Sequence, residues 1–265
     1  YAGNILSVTG EYYGVEKTIE KEFEVFAKKK SGGGTWQVKN MVAKDAETDG
    51  VSGFTELLGA HGVSTFTIGS STYAIVTTMS DDGVQMIDIS DPTNIIAKDA
   101  QDDGDAGGFD ELQEALDVDT FVIGSKTYAI VVSEKDENGV QMIDITDPTD
   151  IVAKDSQDDG DSGGFDELYG ARDVETFVIG ANTYAIVASN DDDGVQMLNI
   201  TDPTDITATD AQDDGDSGGF DELDGAQGVS VFTIGGSTYA IVASTGDDGV
   251  QMLNITDPTA ITATD

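Results

Sequence analysis

The sequence predicts an all-β protein, a β-propeller built from four-stranded blades. Three observations predict it. The chain of 265 residues copies itself: "TYAIV" recurs with its tyrosine at Tyr73, Tyr128, Tyr184 and Tyr239, and "GVQM" starts at Gly83, Gly139, Gly194 and Gly249, a period of about 55 residues. Each period holds short runs rich in Val, Ile, Phe and Tyr between Gly, Asp and Pro punctuation, and none carries a helical stripe. All four prolines sit in Asp-Pro turns, at Pro92, Pro148, Pro203 and Pro258, where the missing N–H harms no ladder. A ring of blades requires such strict repetition, whereas a sandwich does not.

Residues 1–40 stand apart from the repeats at 41–265. They are near neutral, with six Lys and five Glu, while the whole chain carries a net charge of −40. "NILSV" (Asn4–Val8) has no counterpart in the repeats and reads as an unpaired β-prone segment; residues 1–14 are a candidate linking strand for a neighbour's sheet edge. Phe23–Asn40 has the skeleton of a degenerate blade: Phe23, Val25 and Ala27 alternate, a Ser-Gly-Gly-Gly turn follows, and Trp36 and Val38 alternate after it. A helix through Ile19, Phe23 and Phe26 competes with this reading. The expected architecture is therefore four clear blades plus a degenerate one, five in all, with Asp265 ending the last outer strand and the ring closing against residues 1–46; the alternative is a cut from a longer repeat array. Tyr1 in place of Met fits a chain whose leader was removed or that was trimmed.

Within a clear copy, Val229–Ser244 reads as two strands about a Gly-Gly-Ser turn, a hairpin. An acidic Gly turn leads to a third strand at Val250–Ile255, and the Asp-Pro-Thr turn leads to a fourth at Ala260–Asp265. "FDEL" is at most one helical turn. Tyr128–Asp150, "YAIVVSEKDENGVQMIDITDPTD", resembles the LVIVD-type repeat of β-propeller proteins, and the resemblance covers residues 62–265. It implies the propeller fold and says little about function. The long Asp-Gly insert before each blade departs from that pattern.

That insert is the conspicuous chemistry of the chain. "DAQDDGDAGGFDEL" (Asp99–Leu112) places six acids and three glycines in fourteen residues, and close copies start at Asp45, Asp155 and Asp210. Numbered from its first Asp, the loop at Asp45 offers Asp45, Glu47, Asp49 and Glu56 at positions 1, 3, 5 and 12, with Gly50 at 6. The later loops offer Asp99, Gln101, Asp103, Asp105 and Asp110; Asp155, Gln157, Asp159, Asp161 and Asp166; and Asp210, Gln212, Asp214, Asp216 and Asp221. This is close to the D-x-[DN]-x-[DN]-G-x5-E calcium loop without its helices, and oxygen-rich, forgiving geometry suits calcium. Carboxylates ~4 Å apart repel by about 4 kcal/mol at an effective dielectric near 20, so a cation is the expected relief. The competing reading is solvated surface turns or a salt-adapted surface. The Asp81–Gly83, Asp192–Gly194 and Asp247–Gly249 stretches read as turns.

A body this acidic excludes nucleic acid and insertion in an anionic membrane, and no apolar run reaches the ~20 residues of a span. The absence of Cys removes disulfides and Cys nucleophiles. The single histidine, His61, takes a repeat position held by Leu116, Arg172 and Gln227 and reads as an exposed loop residue. Paired carboxylates could hydrolyse glycans, but that chemistry needs two unlike environments and these acids recur equivalently. Met86, Met142, Met197 and Met252 read as core. The sequence thus points to a non-enzymatic, calcium-stabilised extracellular or cell-surface propeller acting as a surface, adhesion or filament subunit. Its expected partners are divalent cations, further copies of itself head to tail, and cell-surface glycans or proteins. The alternative is a carbohydrate-binding or glycan-hydrolysing propeller.

Overall fold

The computed structural model describes residues 5–12, 15–22, 43–134 and 138–264. It divides into two compact units, residues 1–42 and 43–265. In the first, β1 (Ile5–Tyr12) and β2 (Val15–Glu22) pair antiparallel, with Ile5 opposite Glu22 and Val8 opposite Ile19. Ile5–Val8 is therefore paired within its own hairpin rather than free, and Ile19 lies on a strand rather than a helix. The degenerate blade expected at Phe23–Asn40, Trp36 included, lies outside the described residues.

The second unit is four antiparallel sheets of four strands, each in simple chain order, arranged as a β-propeller. Blade 1 comprises β3 (Ala60–Ile68), β4 (Ser71–Thr78), β5 (Gly83–Asp88) and β6 (Ile96–Asp102). Blade 2 comprises β7 (Ala115–Ile123), β8 (Lys126–Ser133), β9 (Gly139–Asp144) and β10 (Val152–Asp158). Blade 3 comprises β11 (Ala171–Ile179), β12 (Asn182–Ser189), β13 (Gly194–Asn199) and β14 (Thr207–Asp213). Blade 4 comprises β15 (Ala226–Ile234), β16 (Ser237–Ser244), β17 (Gly249–Asn254) and β18 (Thr262–Ala263). No helix occurs among the described residues, so none is long and apolar enough to cross a membrane.

Local chemistry explains the chain reversals. Asp82, Asp193 and Asp248 adopt φ of 56°, 57° and 55° just before the third strand, a conformation Asp and Asn tolerate better than most side chains. The following glycine is required by close approach: a Cβ on Gly139 would stand 2.3 Å from the Gln157 carbonyl. In the Asp-Pro turns the aspartate accepts from the residue two on, as where Asp91 Oδ1 takes the Thr93 N–H at 2.9 Å and its hydroxyl at 2.6 Å.

The core lies between blades, not within them. Blades 1 to 3 each export Ile, Val and Met side chains from the second and third strands into the next. Ile75, Val84 and Met86 of blade 1 meet Phe109, Leu112, Ala115 and Val118 of blade 2, and the same types recur at the next two seams. At about 1.5–3 kcal/mol for each fully buried large side chain, these seams hold the ring. The Met86, Met142 and Met197 side chains are fully buried there. A Phe–Tyr pair stacks in every blade, from Phe66–Tyr73 at 5.8 Å to Phe232–Tyr239 at 6.0 Å between centroids.

A buried glutamine ties each entry loop to its blade. Gln141 Oε1 accepts the Asp110 and Glu111 N–H groups at 3.0 and 3.3 Å, and its Nε2 donates to the Asp155 carbonyl at 2.9 Å. Gln85, Gln196 and Gln251 occupy the same place. This satisfies backbone groups that would otherwise be buried unpaired.

Candidate active site

The first strands β3, β7, β11 and β15 pack against one another in sequence and line the inside of the propeller. They read "AHGVSTFTI", "ALDVDTFVI", "ARDVETFVI" and "AQGVSVFTI". Two of the variable positions change between an acid and an uncharged residue. The third residue is Gly62, Asp117, Asp173 and Gly228, and the fifth is Ser64, Asp119, Glu175 and Ser230. Strand alternation puts the third and fifth residues on one face, so blades 2 and 3 bring four carboxylates to the inner wall and blades 1 and 4 bring none.

Each carboxylate reaches the following inner strand. Asp117 Oδ2 accepts the Val174 N–H at 3.2 Å, and Asp173 Oδ2 accepts the Val229 N–H at 2.7 Å. Asp119 Oδ2 accepts the Thr176 N–H at 2.9 Å and its hydroxyl at 2.6 Å, and Glu175 Oε2 accepts the Val231 N–H at 3.1 Å. These bonds lock the side chains in place. Burial first, and then the neighbouring Asp173 carboxyl, push the Asp117 carboxyl up to about 7, so Asp117 titrates near neutrality. Arg172, at the bulge that precedes Asp173, pairs with Glu134 at 2.5 Å, and its buried Nε has no partner among the described residues.

The sequence-predicted loop residues are placed differently. Asp99 and Gln101 lie on β6, Asp155 and Gln157 on β10, and Asp210 and Gln212 on β14, because the fourth strands run further into the motif than their composition suggests. Asp45, Asp99, Asp155 and Asp210 accept the backbone N–H groups of Ile95, Ile151, Ile206 and Ile261 at 2.6–2.8 Å, and Asp45 also that of Ala46 at 3.0 Å. Asp49, Asp103, Asp159 and Asp214 accept from Leu57, Leu112, Leu168 and Leu223. Asp105, Asp161 and Asp216 close the turn on the residue three before. Gly50, Gly104, Gly160 and Gly215, with φ of 76–82°, supply the left-handed step expected at position 6. Glu47 is half-buried, and Asp110, Asp166 and Asp221 face solvent.

The acid that turns inward is the glutamate next along, Glu111 and Glu167, matching Glu56, while their counterpart Glu222 in blade 4 is exposed. Burial, then Asp192, Asp213, Asp159 and Asp216, push Glu167 up to about 8, and its Oε2 is buried without a hydrogen-bond partner. Burial, then Asp81, Asp102, Asp49 and Asp105, push Glu56 up to about 7. Acids from consecutive repeats thus crowd at the seams. Among the described residues no three of them converge as a metal-holding group. His61 is exposed as expected but belongs to β3, its Nδ1 3.0 Å from the Leu116 carbonyl.

A cleft of about 320 Å³ opens where β13 meets β14, lined by Asn199, Thr201, Asp202, Pro203, Asp205 and Thr207. Asp202 there is held below the usual carboxylate range by the Thr204 hydroxyl and N–H. That acid serves the turn, and the inner-strand set is the better chemical candidate.

The sequence matches no protein-family model and no curated protein. The fold is shared with many solved structures. One is a thermostable family-43 glycoside hydrolase, 12% identical with a TM-score of 0.50 over 78% of this chain and 72% of that one. Zg3597, a family 117 glycoside hydrolase of the marine bacterium Zobellia galactanivorans, is 10% identical with a TM-score of 0.53 over 84% and 72%. The periplasmic gluconolactonase PpgL of Pseudomonas aeruginosa is 13% identical with a TM-score of 0.57, over 78% of this chain and only 53% of that one. These neighbours overturn the expectation of a non-enzymatic surface, adhesion or filament subunit. The reason given against an enzyme fails as well: acids on the inner strands are not equivalent from blade to blade.

Proposed function

We propose that the chain is a carbohydrate-acting β-propeller that hydrolyses a glycan at the inner-strand carboxylates of blades 2 and 3. The observation that carries this is the set of four inner-strand carboxylates of blades 2 and 3, each held by an N–H of the next strand, with Asp117 among them pushed up to about 7. Glycoside hydrolysis needs such inequality: a carboxylic acid to protonate the leaving oxygen, and a carboxylate to act as base or nucleophile. Asp117 is the acid in this reading. Asp119 and Glu175 are the candidate carboxylates, each fixed by the N–H of the next strand, while Asp173, against Asp117, leaves no room for the bond cleaved and serves to tune the acid. The glycoside hydrolases among the fold neighbours support the substrate class.

The test is a panel of oligosaccharides and aryl glycosides assayed for released reducing ends, with Asp117→Asn and Asp173→Asn in parallel. Turnover by the wild type that drops at least ~10²-fold in both variants is the expected result. Turnover that survives both substitutions, or none on any substrate together with an empty glycan array, overturns the proposal.

A further inference from the structure

Among the described residues, no seam joins the last blade of the four-blade unit to its first, and the two faces left there carry the residues that close the other seams. Val84, Val140, Val195 and Val250 are the same position of the third strand. The first three are 0% exposed and Val250 is 60% exposed. Ile241 and Met252, next to it, are half-buried and Ala243 is exposed, whereas Ile75, Met86 and their counterparts in blades 2 and 3 are sealed. On the receiving side, Val118, Val174 and Val229 are 3–7% exposed and Val63 of blade 1 is 61% exposed. Ala60 is exposed beside it, whereas Ala115, Ala171 and Ala226 are buried.

The polar stitching is open at the same places. Asp82 and Asp193 each accept an N–H from the entry loop of the next blade, at Glu114 and Gly225. Their counterpart Asp248 accepts no such bond among the described residues, and the matching donor position in blade 1 is Gly59.

We propose that the export face of blade 4 docks on the receiving face of blade 1 of a second copy of this chain. The fit is argued from the molecule itself, since each half of the interface is met by its complement at three seams of the same chain. The contact is heterologous, one copy's end on the other's beginning. With −40 charges per copy, it requires salt.

The experiment is sedimentation equilibrium of the whole chain from about 10 µM to about 1 mM, in about 1 M NaCl, where the screening length falls to about 3 Å. Val250→Glu and Val63→Glu change exposed side chains, so each variant keeps the β spectrum of the wild type. The expected result has three parts. Wild type reaches at least twice the chain mass as concentration rises. Each variant alone stays monomeric, because each lacks one half of the contact. An equimolar mixture of the two forms a one-to-one dimer through the two intact faces. Wild type that stays monomeric at every concentration overturns the proposal, including the case in which another segment of the same chain covers the faces. Variants that assemble like wild type, or a mixture that stays monomeric, overturn it equally.

Discussion

Replacing Asp117 by Asn leaves the shape of the inner-strand pair unchanged and removes its titration. The Asn carbonyl oxygen still accepts the Val174 N–H, and its NH₂ donates permanently to Asp173, where the wild type needs a proton on its carboxyl. The wild-type carboxyl moves from 3.8 to about 7 on folding. An acid whose proton affinity rises on folding adds stability that is fully present below its unfolded value and lost as the pH climbs through its folded value. At about 1.4 kcal/mol per tenfold, the difference is at most about 4 kcal/mol. Partial exposure and coupling to Asp173 reduce this to about 2 kcal/mol, an order-of-magnitude figure. For a unit of this size that is ~4–8 °C in melting temperature. Scanning calorimetry at about pH 3, below the unfolded value, and at about pH 9 checks it. Wild type and variant should melt together at the lower pH, and the variant several degrees higher at the upper one. A variant equally destabilised at both refutes the raised Asp117 carboxyl.

Other consequences are checked with the same instruments. Gln141→Leu leaves the Asp110 and Glu111 N–H groups and the Asp155 carbonyl unpaired, and should cost about 2–4 kcal/mol by urea titration; a loss under ~0.5 kcal/mol would show that water replaces the clamp. Because Glu56, Glu167 and Asp192 are all raised on folding, overall stability should fall as pH rises from about 5 to about 8. It should fall again in strong acid, where Asp88, Asp144 and the Asp-Pro turn acids, all held low, are protonated. A rise from about pH 5 to about 8 contradicts this. Calcium, the cation suggested by the loop spacing, would take over from the seam protons, so at about pH 8 it should raise the melting temperature more than magnesium at equal ionic strength. Equal shifts would leave charge screening as the cause.

The blades were legible because their signals are local: β-branched runs alternate, Asp-Pro and Asp-Gly break them, and the period repeats. The acidic motif was legible as a unit but not in its placement. Whether Asp99 lies on a strand or a loop depends on the pairing of Gln101 and Asp102 with Val84 and Gly83, which composition does not reveal. Nor does composition show that most of these carboxylates accept backbone N–H groups. Adjacent blades share no backbone ladder, so acceptors reaching across a seam supply what a continuous sheet would. The inner-strand acids were missed because four aligned copies draw attention to what recurs. Gly62, Asp117, Asp173 and Gly228 do not recur, and that break was the available signal.

The two glycines at that position differ in what surrounds them, and this yields a paired prediction. A Cβ on Gly62 would stand 2.5 Å from the Leu116 carbonyl and 2.8 Å from Asp117 Oδ1, distances that real side chains do not adopt. A Cβ on Gly228 would lie 3.5 Å from Asp173 Oδ2, an ordinary contact. Blade 1 therefore lacks a side chain here because the Leu116–Asp117 backbone of β7, together with the Asp117 carboxylate, occupies its place. Gly62→Ala must displace β7 or the carboxylate, at about 1–3 kcal/mol for overpacking, and should disturb the titration of Asp117. Gly228→Ala should change stability by under ~1 kcal/mol, its backbone gain offsetting the tighter contact. Both variants are compared by urea titration at about pH 3 and about pH 9. Equal behaviour of the two would show that Gly62 does not make room for Asp117.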